Sequence, residues 1–341
     1  MDLRLSEEQR AVRDTFAAFF RKESTPQRVR AAEATGFDEL LWRRYADLGA
    51  LGIGVPADCG GADGGLLELA LVAEEAGRRL APIPFVETAA AARLLGRLRE
   101  KQLLGPILTG SSIVSVARGP AAGRRWLIDG AIADGVLALD GESLLYLARP
   151  DGVLRVPRRN LGGLALGRWD TTGCERTPLV EGPEACALFA TALDEVRVLR
   201  AAALIGLAAE AVEIGAGYAT VREAFGQPIA MYQAVAHPFA DTLAALDGAR
   251  LLVAKTCWAV DGGHADAPAL AAMAFVFAAE TAYQAATHSL HVHGGYGFME
   301  EYDIQLYYRR AKAWAAAFAD PRRELLTVAD RRFGSVSQEG R

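Results

Sequence analysis

Two stretches in the second half of the chain combine residue types that can bind a ligand. The first is REAFGQPI, residues 222–229, in which Arg222 precedes Phe225 and Gly226 at the predicted end of a helix. A guanidinium binds phosphate through its N–H groups, and an aromatic ring stacks on a planar ligand. The stretch therefore favours a phosphate-and-ring contact, although an ordinary helix end with a solvated arginine would look the same.

The second stretch is HVHGGYGF, residues 291–298, where Gly294, Gly295 and Gly297 follow a long helical pattern. Glycine has no Cβ, so a ligand can approach its backbone closely, whereas a simple turn between helices would need only one glycine. A third stretch, YYRRAK at residues 307–312, predicts a basic helical surface. An ordinary solvent-exposed helix face would look the same. A purely structural explanation fits these three stretches less well than any others in the chain.

Two further motifs are better explained by structure alone. Residues 52–57, GIGVPA, match the dinucleotide fingerprint GxGxxA, but helical sequence precedes them and Pro56 interrupts the loop. The fingerprint works only between a strand and a helix N-terminus. His288, His291 and His293 have no carboxylate close by in sequence, and the four cysteines are isolated. We therefore expect no Rossmann site, no metal and no disulfide.

The composition excludes several classes of protein. The 341 residues carry 37 basic and 42 acidic side chains, a formal net charge of −5, without the Lys/Arg runs typical of nucleic-acid binding. No stretch reaches the roughly 18 uncharged apolar residues that cross a bilayer. The opening MDLRLSEEQR has acids where a secretory signal needs apolar residues. We expect a folded, cytoplasmic protein that binds neither nucleic acid nor membrane.

The periodicity of apolar residues divides the chain into three parts. The first hundred residues are predicted to be helical, starting at the capping-box pair Ser6 and Gln9. Short apolar runs separated by the turn pairs Asp129-Gly130, Asp140-Gly141 and Asp151-Gly152 then predict a small antiparallel β-domain. Long Ala/Leu-rich helices follow and predict an antiparallel four-helix bundle. The predicted fold is mainly α with a small middle β-domain, divided into residues 1–110, 111–188 and 189–341.

The whole chain resembles the acyl-CoA dehydrogenase family, specifically the short bacterial and actinobacterial members. Its motifs occur in the same order as those of the family. The matching stretches are LGALGIGVPADCGGADGG, REAFGQPIAMYQAVAHPFAD and HVHGGYGFMEEYDIQLYYRRAKA. The family architecture is an N-terminal helical domain, a middle β-domain and a C-terminal four-helix bundle. These are the three parts that the periodicity predicts.

The resemblance implies FAD as the cofactor. In the family, the arginine and phenylalanine of the RxxFG motif, here Arg222 and Phe225, contact the flavin nucleotide across a dimer interface. The resemblance places Gln233 near the adenine, and the glycine pair at residues 294–295 contacts the nucleotide through its backbone. The family usually has a glutamine shortly before that pair, and this chain has His291 there. The imidazole can still donate one hydrogen bond, but it cannot replace both the donor and the acceptor of an amide.

The resemblance also implies a reaction for which the usual base is missing. The family desaturates an acyl thioester: a carboxylate removes the α-proton while the β-hydride passes to the flavin. The two family positions for this carboxylate correspond to Phe318 and Val196, and neither side chain accepts a proton. Asp320 and Glu195 are the nearby candidates. A chain without any base of its own remains an equally open alternative.

Two functional hypotheses follow from the resemblance. The first is an active FAD-dependent dehydrogenase of an acyl-CoA or acyl-carrier-protein substrate, with an electron-transfer flavoprotein or similar acceptor. The second is a base-lacking half-site subunit of a heteromeric acyl-CoA dehydrogenase, because a flavin site shared by two subunits lets one chain lose the base. In either case the Ala-rich bundle predicts a homo- or hetero-oligomer with a family homologue.

Overall fold

The computed structural model describes residues 3–119, 121–150 and 155–334. The chain forms two compact units, each assembled from separate stretches. One unit consists of Met1–Lys22, Ala70–Ala81 and Arg197–Arg341, and the other of Glu23–Leu69 and Pro82–Val196.

Helices account for most of the described chain. They are α1 (Glu7–Glu23), α2 (Pro26–Ala31), α3 (Glu39–Asp47), α4 (Leu66–Arg78), α5 (Phe85–Leu98), α6 (Lys101–Leu108), α7 (Pro183–Val221), α8 (Gln233–Asp261), α9 (Ala267–His293), α10 (Ile304–Phe318) and α11 (Pro321–Phe333). The strands are β1 (Val114–Val116), β2 (Arg124–Leu127), β3 (Gly135–Asp140), β4 (Ser143–Ala148), β5 (Gly167–Asp170), β6 (Glu175–Glu181), β7 (Glu223–Ala224) and β8 (Gln227–Pro228). This order confirms the predicted mainly α fold with a middle β-domain. The division at residues 110 and 188 stays a prediction.

The start of α1 has the predicted capping box. The Gln9 backbone N–H donates to Ser6 Oγ at 3.1 Å, and the Ser6 backbone N–H donates to Gln9 Oε1 at 3.0 Å. The two residues thus satisfy each other's backbone donors at a helix end where no intrahelical partner exists.

The β-domain contains one sheet, in the order β1-β3-β4-β6, and a separate ribbon of β2 and β5. The hairpin predicted at the Asp140-Gly141 turn is present, with Asp140 paired to Ser143. The prediction of an entirely antiparallel domain is wrong, because β1 and β3 are parallel. The chain between them leaves the sheet to form β2, and this provides the long crossover that parallel neighbours require. The turn predicted at residues 151–152 lies outside the described residues.

The helix α7 approaches the stretch Ala70–Ala81 at backbone contact distance. A Cβ at Gly206 would overlap the carbonyl oxygen of Glu74, and a Cβ at Gly77 would overlap the carbonyl oxygen of Ala203. Only small residues at the crossing permit such an approach, which brings many atom pairs of both helices into van der Waals contact.

Ion pairs surround this crossing. Arg78 contacts Glu210 at 3.3 Å and Glu213 at 2.7 Å, and Arg79 contacts Glu210 at 2.7 Å. Desolvation nevertheless raises the pKa of Glu210, and it also raises the pKa of the neighbouring Glu75, against the opposing effect of the nearby arginines. For both carboxyl groups, burial disfavours the charged form more than the neighbouring charges favour it.

One helical segment of the described residues is long and apolar enough to span a membrane by length and composition alone. It runs over Ala267–Phe298 and has a mean hydropathy of 1.3 in its most apolar window. Since 67% of that window is buried inside the fold, the segment has the properties of a core helix of a bundle.

We expect Gly206→Ala to lower the free energy of unfolding by about 1–3 kcal/mol or more, because the added methyl group forces the two backbones apart. Gly217→Ala in the same helix is the control, since no atom lies within 4 Å of a Cβ there. Alanine favours helix over glycine, so this control should be neutral or stabilising. Urea unfolding followed by circular dichroism measures both variants, and equal stabilities would contradict the close crossing.

The raised pKa of Glu75 predicts a pH dependence of stability. The folded state binds this proton more readily than the unfolded state, so the contribution of Glu75 to the free energy of unfolding falls as the pH rises above the ordinary value of 4.5. Glu75→Gln should therefore flatten the profile above about pH 4.5. Glu280→Gln, at an exposed position of α9, should leave the profile unchanged. Identical profiles for both variants would exclude Glu75 as the cause.

Candidate functional site

The RxxFG stretch forms a tight hairpin directly after α7. β7 and β8 pair antiparallel, and the turn residues between them, Phe225 and Gly226, have φ angles of +53° and +82°. Two positive φ angles are typical of a type I′ turn, a conformation that few residues other than glycine, asparagine and aspartate adopt. The Tyr232 hydroxyl donates to the Ala224 carbonyl at 2.9 Å and ties the hairpin to the start of α8. The hairpin thus holds the Phe225 side chain in a position that is 98% exposed.

The three glycines after α9 have different roles. Gly294 has φ +58° and ψ −137°, a combination found essentially only for glycine. No atom of the described residues lies within 4 Å of a Cβ built on Gly294 or Gly295, so the backbone there is open to a ligand. A Cβ on Gly297 would instead lie 2.7 Å from the carbonyl oxygen of Leu290. Gly297 therefore serves helix packing, and the other two glycines form an open surface.

Contacts between side chains place both stretches at the same end of the bundle. Tyr218, in the last turn of α7, stacks on His293, the last residue of α9, with 4.1 Å between ring centroids. Near the start of α8, the Thr242 hydroxyl lies 3.0 Å from Nδ1 of His288. The end of α7, the end of α9 and the beginning of α8 are therefore neighbours.

The predicted cofactor residues are all exposed, and the elements that carry them meet at this end of the bundle. They are Arg222, Phe225, Gln233, His291, Gly294 and Gly295. Together they offer a guanidinium, an aromatic ring, an amide, an imidazole and two unobstructed backbone segments. These groups fit a flavin nucleotide, because guanidinium and backbone N–H groups bind diphosphate and a ring stacks on a planar system.

The remaining histidines and the cysteines have structural surroundings. Nδ1 of His293 lies 2.6 Å from the carbonyl oxygen of Ser289, within its own helix. The cysteines are free thiols, most of them buried. Within the parts of the chain that the structure describes, no group of three or more His, Cys, Asp or Glu is arranged to hold a metal ion.

The first family position for the base, Phe318, lies in a packed and cationic interior. Its side chain is 8% exposed and meets Phe275 edge to face, with centroids 5.2 Å apart. The guanidinium carbons of Arg197 and Arg200 lie 5.4 Å and 5.9 Å from the centroid of the Phe318 ring. Arg197 also pairs with Glu324 at 2.9 Å. Position 318 thus holds a buried phenylalanine that lies close to two guanidinium groups.

The second family position, Val196, is buried, and the neighbouring Glu195 is completely buried in the other compact unit. Arg93 donates from Nε to Oε1 of Glu195 at 2.9 Å, and Arg97 donates from Nη1 to Oε2 at 3.2 Å. A second nitrogen of Arg97 also contacts Oε1. Both carboxylate oxygens are engaged by guanidinium groups of α5, so Glu195 links α5 to α7.

Asp320 lies in different surroundings. It is exposed and caps α11, where Oδ1 accepts a hydrogen bond from the Arg322 backbone N–H at 3.0 Å. It also lines a groove of about 730 Å³, whose other lining residues belong to α9, α10 and α11 and include several alanines and Lys312. Asp320 therefore faces this groove, whereas Phe318, two residues earlier, is buried.

The sequence predictions did not include the buried arginines beside Phe318. Arg197 and Arg200 are spaced three apart, as residues on one helix face are, and Arg200 begins a long apolar run, RAAALIGLAAEAV. Arginine is rarely buried without a partner. This spacing next to an apolar helix was the available signal for an internal charge cluster.

Comparison with known proteins gives a consistent family. The models of the acyl-CoA dehydrogenase N-terminal and C-terminal domains match residues 6–102 and 186–317. Acyl-CoA dehydrogenase IpdE2 from Mycobacterium tuberculosis is 33% identical over 328 residues, which cover 94% of this chain and 95% of that protein.

Two solved structures have the same fold over nearly the whole chain. The ChsE4-ChsE5 complex from Mycobacterium tuberculosis has a TM-score of 0.88 at 25% identity and covers 99% of this chain and 100% of its own. A variant of the Tcur3481-Tcur3483 steroid ACAD has a TM-score of 0.85 at 26% identity, with 95% and 97% covered. The chain therefore belongs to the acyl-CoA dehydrogenase family, and this membership supports an oxidoreductase activity with a flavin cofactor.

Proposed function

We propose that this chain is a base-lacking subunit of a heteromeric, FAD-dependent acyl-CoA dehydrogenase. In this assembly it supplies the nucleotide-binding half of a flavin site, and a family homologue supplies the base. The observation that carries the proposal is the environment of Phe318, the position that the family resemblance assigns to a base. Its ring contacts Phe275 and lies near two guanidinium groups.

The surroundings of position 318 do not suit a general base. Removal of an α-proton requires a carboxylate within hydrogen-bond reach of the substrate. Phe318 cannot accept a proton, and its ring is enclosed by the side chains around it. Even a carboxylate introduced there would lie beside Arg197 and Arg200, and nearby cations lower the pKa of a carboxyl group and weaken it as a base.

The exposed end of the bundle is suited to binding rather than to proton transfer. Arg222 offers a charge-assisted hydrogen bond to a diphosphate, Phe225 a stacking surface, and the open glycine pair its backbone. Gln233 and His291 provide polar contacts for the adenine end. FAD bound at this site would supply the acceptor for the hydride of the substrate. The residues of this chain hold and orient the nucleotide and move no proton.

Exposed apolar side chains around the same residues favour a protein partner. Val221, Phe225, Met231 and Phe298 are all strongly exposed, and exposed apolar surface of this kind marks interaction sites. The similar solved structure of ChsE4-ChsE5 is a complex, and the similar structure of Tcur3481-Tcur3483 is likewise named after two proteins. These observations support association with a family homologue.

The substrate that we propose for the assembly is an acyl-CoA with a bulky, steroid-like acyl group. The support for this substrate is the similarity of the chain to the solved Tcur3481-Tcur3483 steroid ACAD variant, with 26% sequence identity. An acyl-carrier-protein thioester is the alternative. The electron acceptor that we propose is an electron-transfer flavoprotein or a similar protein. We also propose that the reaction takes place in the cytoplasm.

A second candidate function is an active dehydrogenase that uses Asp320 as its base. The observation in its favour is that Asp320 lines the groove of about 730 Å³ while only Oδ1 is engaged in capping α11. In this case one chain would both bind the nucleotide and take the α-proton.

Visible spectra of the chain purified alone and with a co-expressed homologue distinguish the two functions. For a base-lacking subunit we expect little flavin in the chain alone, bound FAD in the complex, and bleaching by acyl-CoA only in the complex. Steroid-derived and straight-chain acyl-CoA esters should be compared as substrates. A yellow protein that acyl-CoA bleaches without a partner would overturn the proposal.

Arg222→Ala in the same complex tests the nucleotide site. Loss of a charge-assisted hydrogen bond to phosphate should weaken FAD binding by about 1.5–3 kcal/mol, or roughly 10- to 100-fold. Arg43→Ala, which removes an equally exposed arginine of α3, should retain the flavin. Equal flavin contents in the two variants would remove Arg222 from the site.

Asp320→Asn distinguishes a base supplied by the partner from Asp320 as the base. Asparagine preserves the helix cap but cannot accept the proton. If the partner supplies the base, the rate of flavin reduction in the complex should equal that of the wild type. A decrease of about 10²- to 10⁴-fold, with the flavin content unchanged, would instead identify Asp320 as the base.

A further inference from the structure

His293 lies at the point where the glycine turn leaves the bundle, and it is buried. It is the last residue of α9, it is 5% exposed, and the open pair Gly294 and Gly295 follows it directly. A ring with so little exposed surface is not placed for direct contact with a nucleotide. An effect of His293 on the nucleotide site must therefore act through the residues against which it packs.

Two contacts fix the orientation of this imidazole. It stacks on Tyr218 of α7, with 4.1 Å between ring centroids and an interplanar angle of 22°. Its Nδ1 lies 2.6 Å from the carbonyl oxygen of Ser289. A carbonyl oxygen can only accept, so Nδ1 carries the hydrogen and donates it. The stack and the hydrogen bond together determine both the plane and the direction of the ring.

Tyr218 connects this ring to the RxxFG hairpin. The backbone N–H of Arg222 donates to the carbonyl oxygen of Tyr218 at 2.9 Å, one helical turn later. The carbonyl oxygen of Arg222 in turn accepts from the backbone N–H of Ile229 at 2.8 Å, across the base of the hairpin. A continuous series of contacts thus leads from His293 to the hairpin that carries Arg222 and Phe225.

The glycine turn also packs against His293. A Cβ built on Gly297 would lie 3.2 Å from the Cβ of His293. Tyr302, just before α10, meets the imidazole edge to face with centroids 6.0 Å apart, and Tyr296 lies against Tyr302 at 5.5 Å. The turn that carries the open glycine pair is therefore folded over the buried imidazole.

The helices α7 and α9 are in close contact next to the stacked pair. A Cβ built on Gly215 would lie 2.5 Å from Oγ of Ser289. Gly215 precedes Tyr218 by three residues, and Ser289 precedes His293 by four, so this contact is about one helical turn from the stack. Close packing of this kind leaves little room for the two helix ends to move independently.

We propose that His293 is a positioning residue, which fixes the glycine pair and the RxxFG hairpin relative to each other by stacking on Tyr218. The inference rests on the proposed function, because what it positions is the nucleotide-binding half of the flavin site. A nucleotide that spans both stretches makes all its contacts only when their separation is correct. A separation that is fixed before binding lowers the loss of conformational freedom on binding.

The affinity for FAD of the complex with the homologue, measured by fluorescence titration after removal of its flavin, tests this role. His293→Ala should weaken binding by roughly three- to tenfold, the range for loss of one aromatic pair. His293→Phe retains a ring against Tyr218 and should bind within about twofold of the wild type. His293→Gln retains a hydrogen-bond donor without the ring and should bind as weakly as the alanine variant. This order of affinities is specific for the stack.

A second stacked pair in the same compact unit provides the matched control. Trp258 and His264 stack with centroids 4.0 Å apart and an interplanar angle of 25°, where α8 connects to α9. His264→Ala removes a pair of nearly the same geometry and should leave the affinity for FAD unchanged. Circular dichroism verifies that each variant is folded.

A double-mutant cycle tests whether Tyr218 and His293 act as a unit. If they do, Tyr218→Ala combined with His293→Ala should weaken FAD binding no more than either change alone. Additive losses, or failure of His293→Phe to restore binding, would overturn the inference. An unchanged affinity in His293→Ala together with a weakened one in Arg222→Ala would overturn it and leave the nucleotide site in place. An unchanged affinity in both variants would overturn the proposed nucleotide site as well.

Discussion

The backbone contact between Gly206 of α7 and the carbonyl group of Glu74 is the constraint on which much of the helical unit depends. Because two helices meet there without side chains between them, the residues next to the crossing are removed from water. Arg78, Arg79 and Glu210 must then be satisfied by each other. Burial next to this crossing raises the pKa of Glu210. Close packing and internal charge are therefore two aspects of the same contact.

The interior of the bundle around Phe318 follows the same logic. A buried guanidinium remains charged, so it needs a carboxylate or the negative face of a ring. Arg197 has Glu324 as its partner, and the ring of Phe318 lies within about 6 Å of Arg197 and Arg200. An aromatic residue is compatible with these arginines, whereas a catalytic carboxylate would be held in an ion pair. The aromatic side chain of Phe318 and the buried arginines beside it are thus mutually consistent.

The exposed end of the bundle contrasts with this interior. There the chain holds Phe225 in a left-handed conformation, at an energy of order 1–3 kcal/mol, and leaves its ring in solvent. A strained residue persists only where the surrounding hydrogen bonds support it, and the bond from Tyr232 to Ala224 is one of them. In the proposed function, binding of a nucleotide and removal of a proton would depend on different residues in different places. A flavin site shared by two subunits can therefore divide these tasks between two chains.

The sequence alone was sufficient for the features that depend on local spacing. Apolar periodicity predicted the helical parts and the middle β-domain, the pair Ser6 and Gln9 predicted a helix start, and Asp140-Gly141 predicted a hairpin, because each is decided within a few residues. The motif resemblance identified the family, and the cofactor-binding residues that it implies stay a prediction. The parallel pairing of β1 with β3 was decided only by the tertiary structure, since strand direction depends on where the intervening chain goes. The same holds for Glu195, Asp320 and Gly297. Their neighbours in sequence do not show whether a carboxylate meets two guanidinium groups or an open groove, or whether a glycine faces a helix or a ligand. These contacts join residues that are distant in the chain, and only folding brings them together.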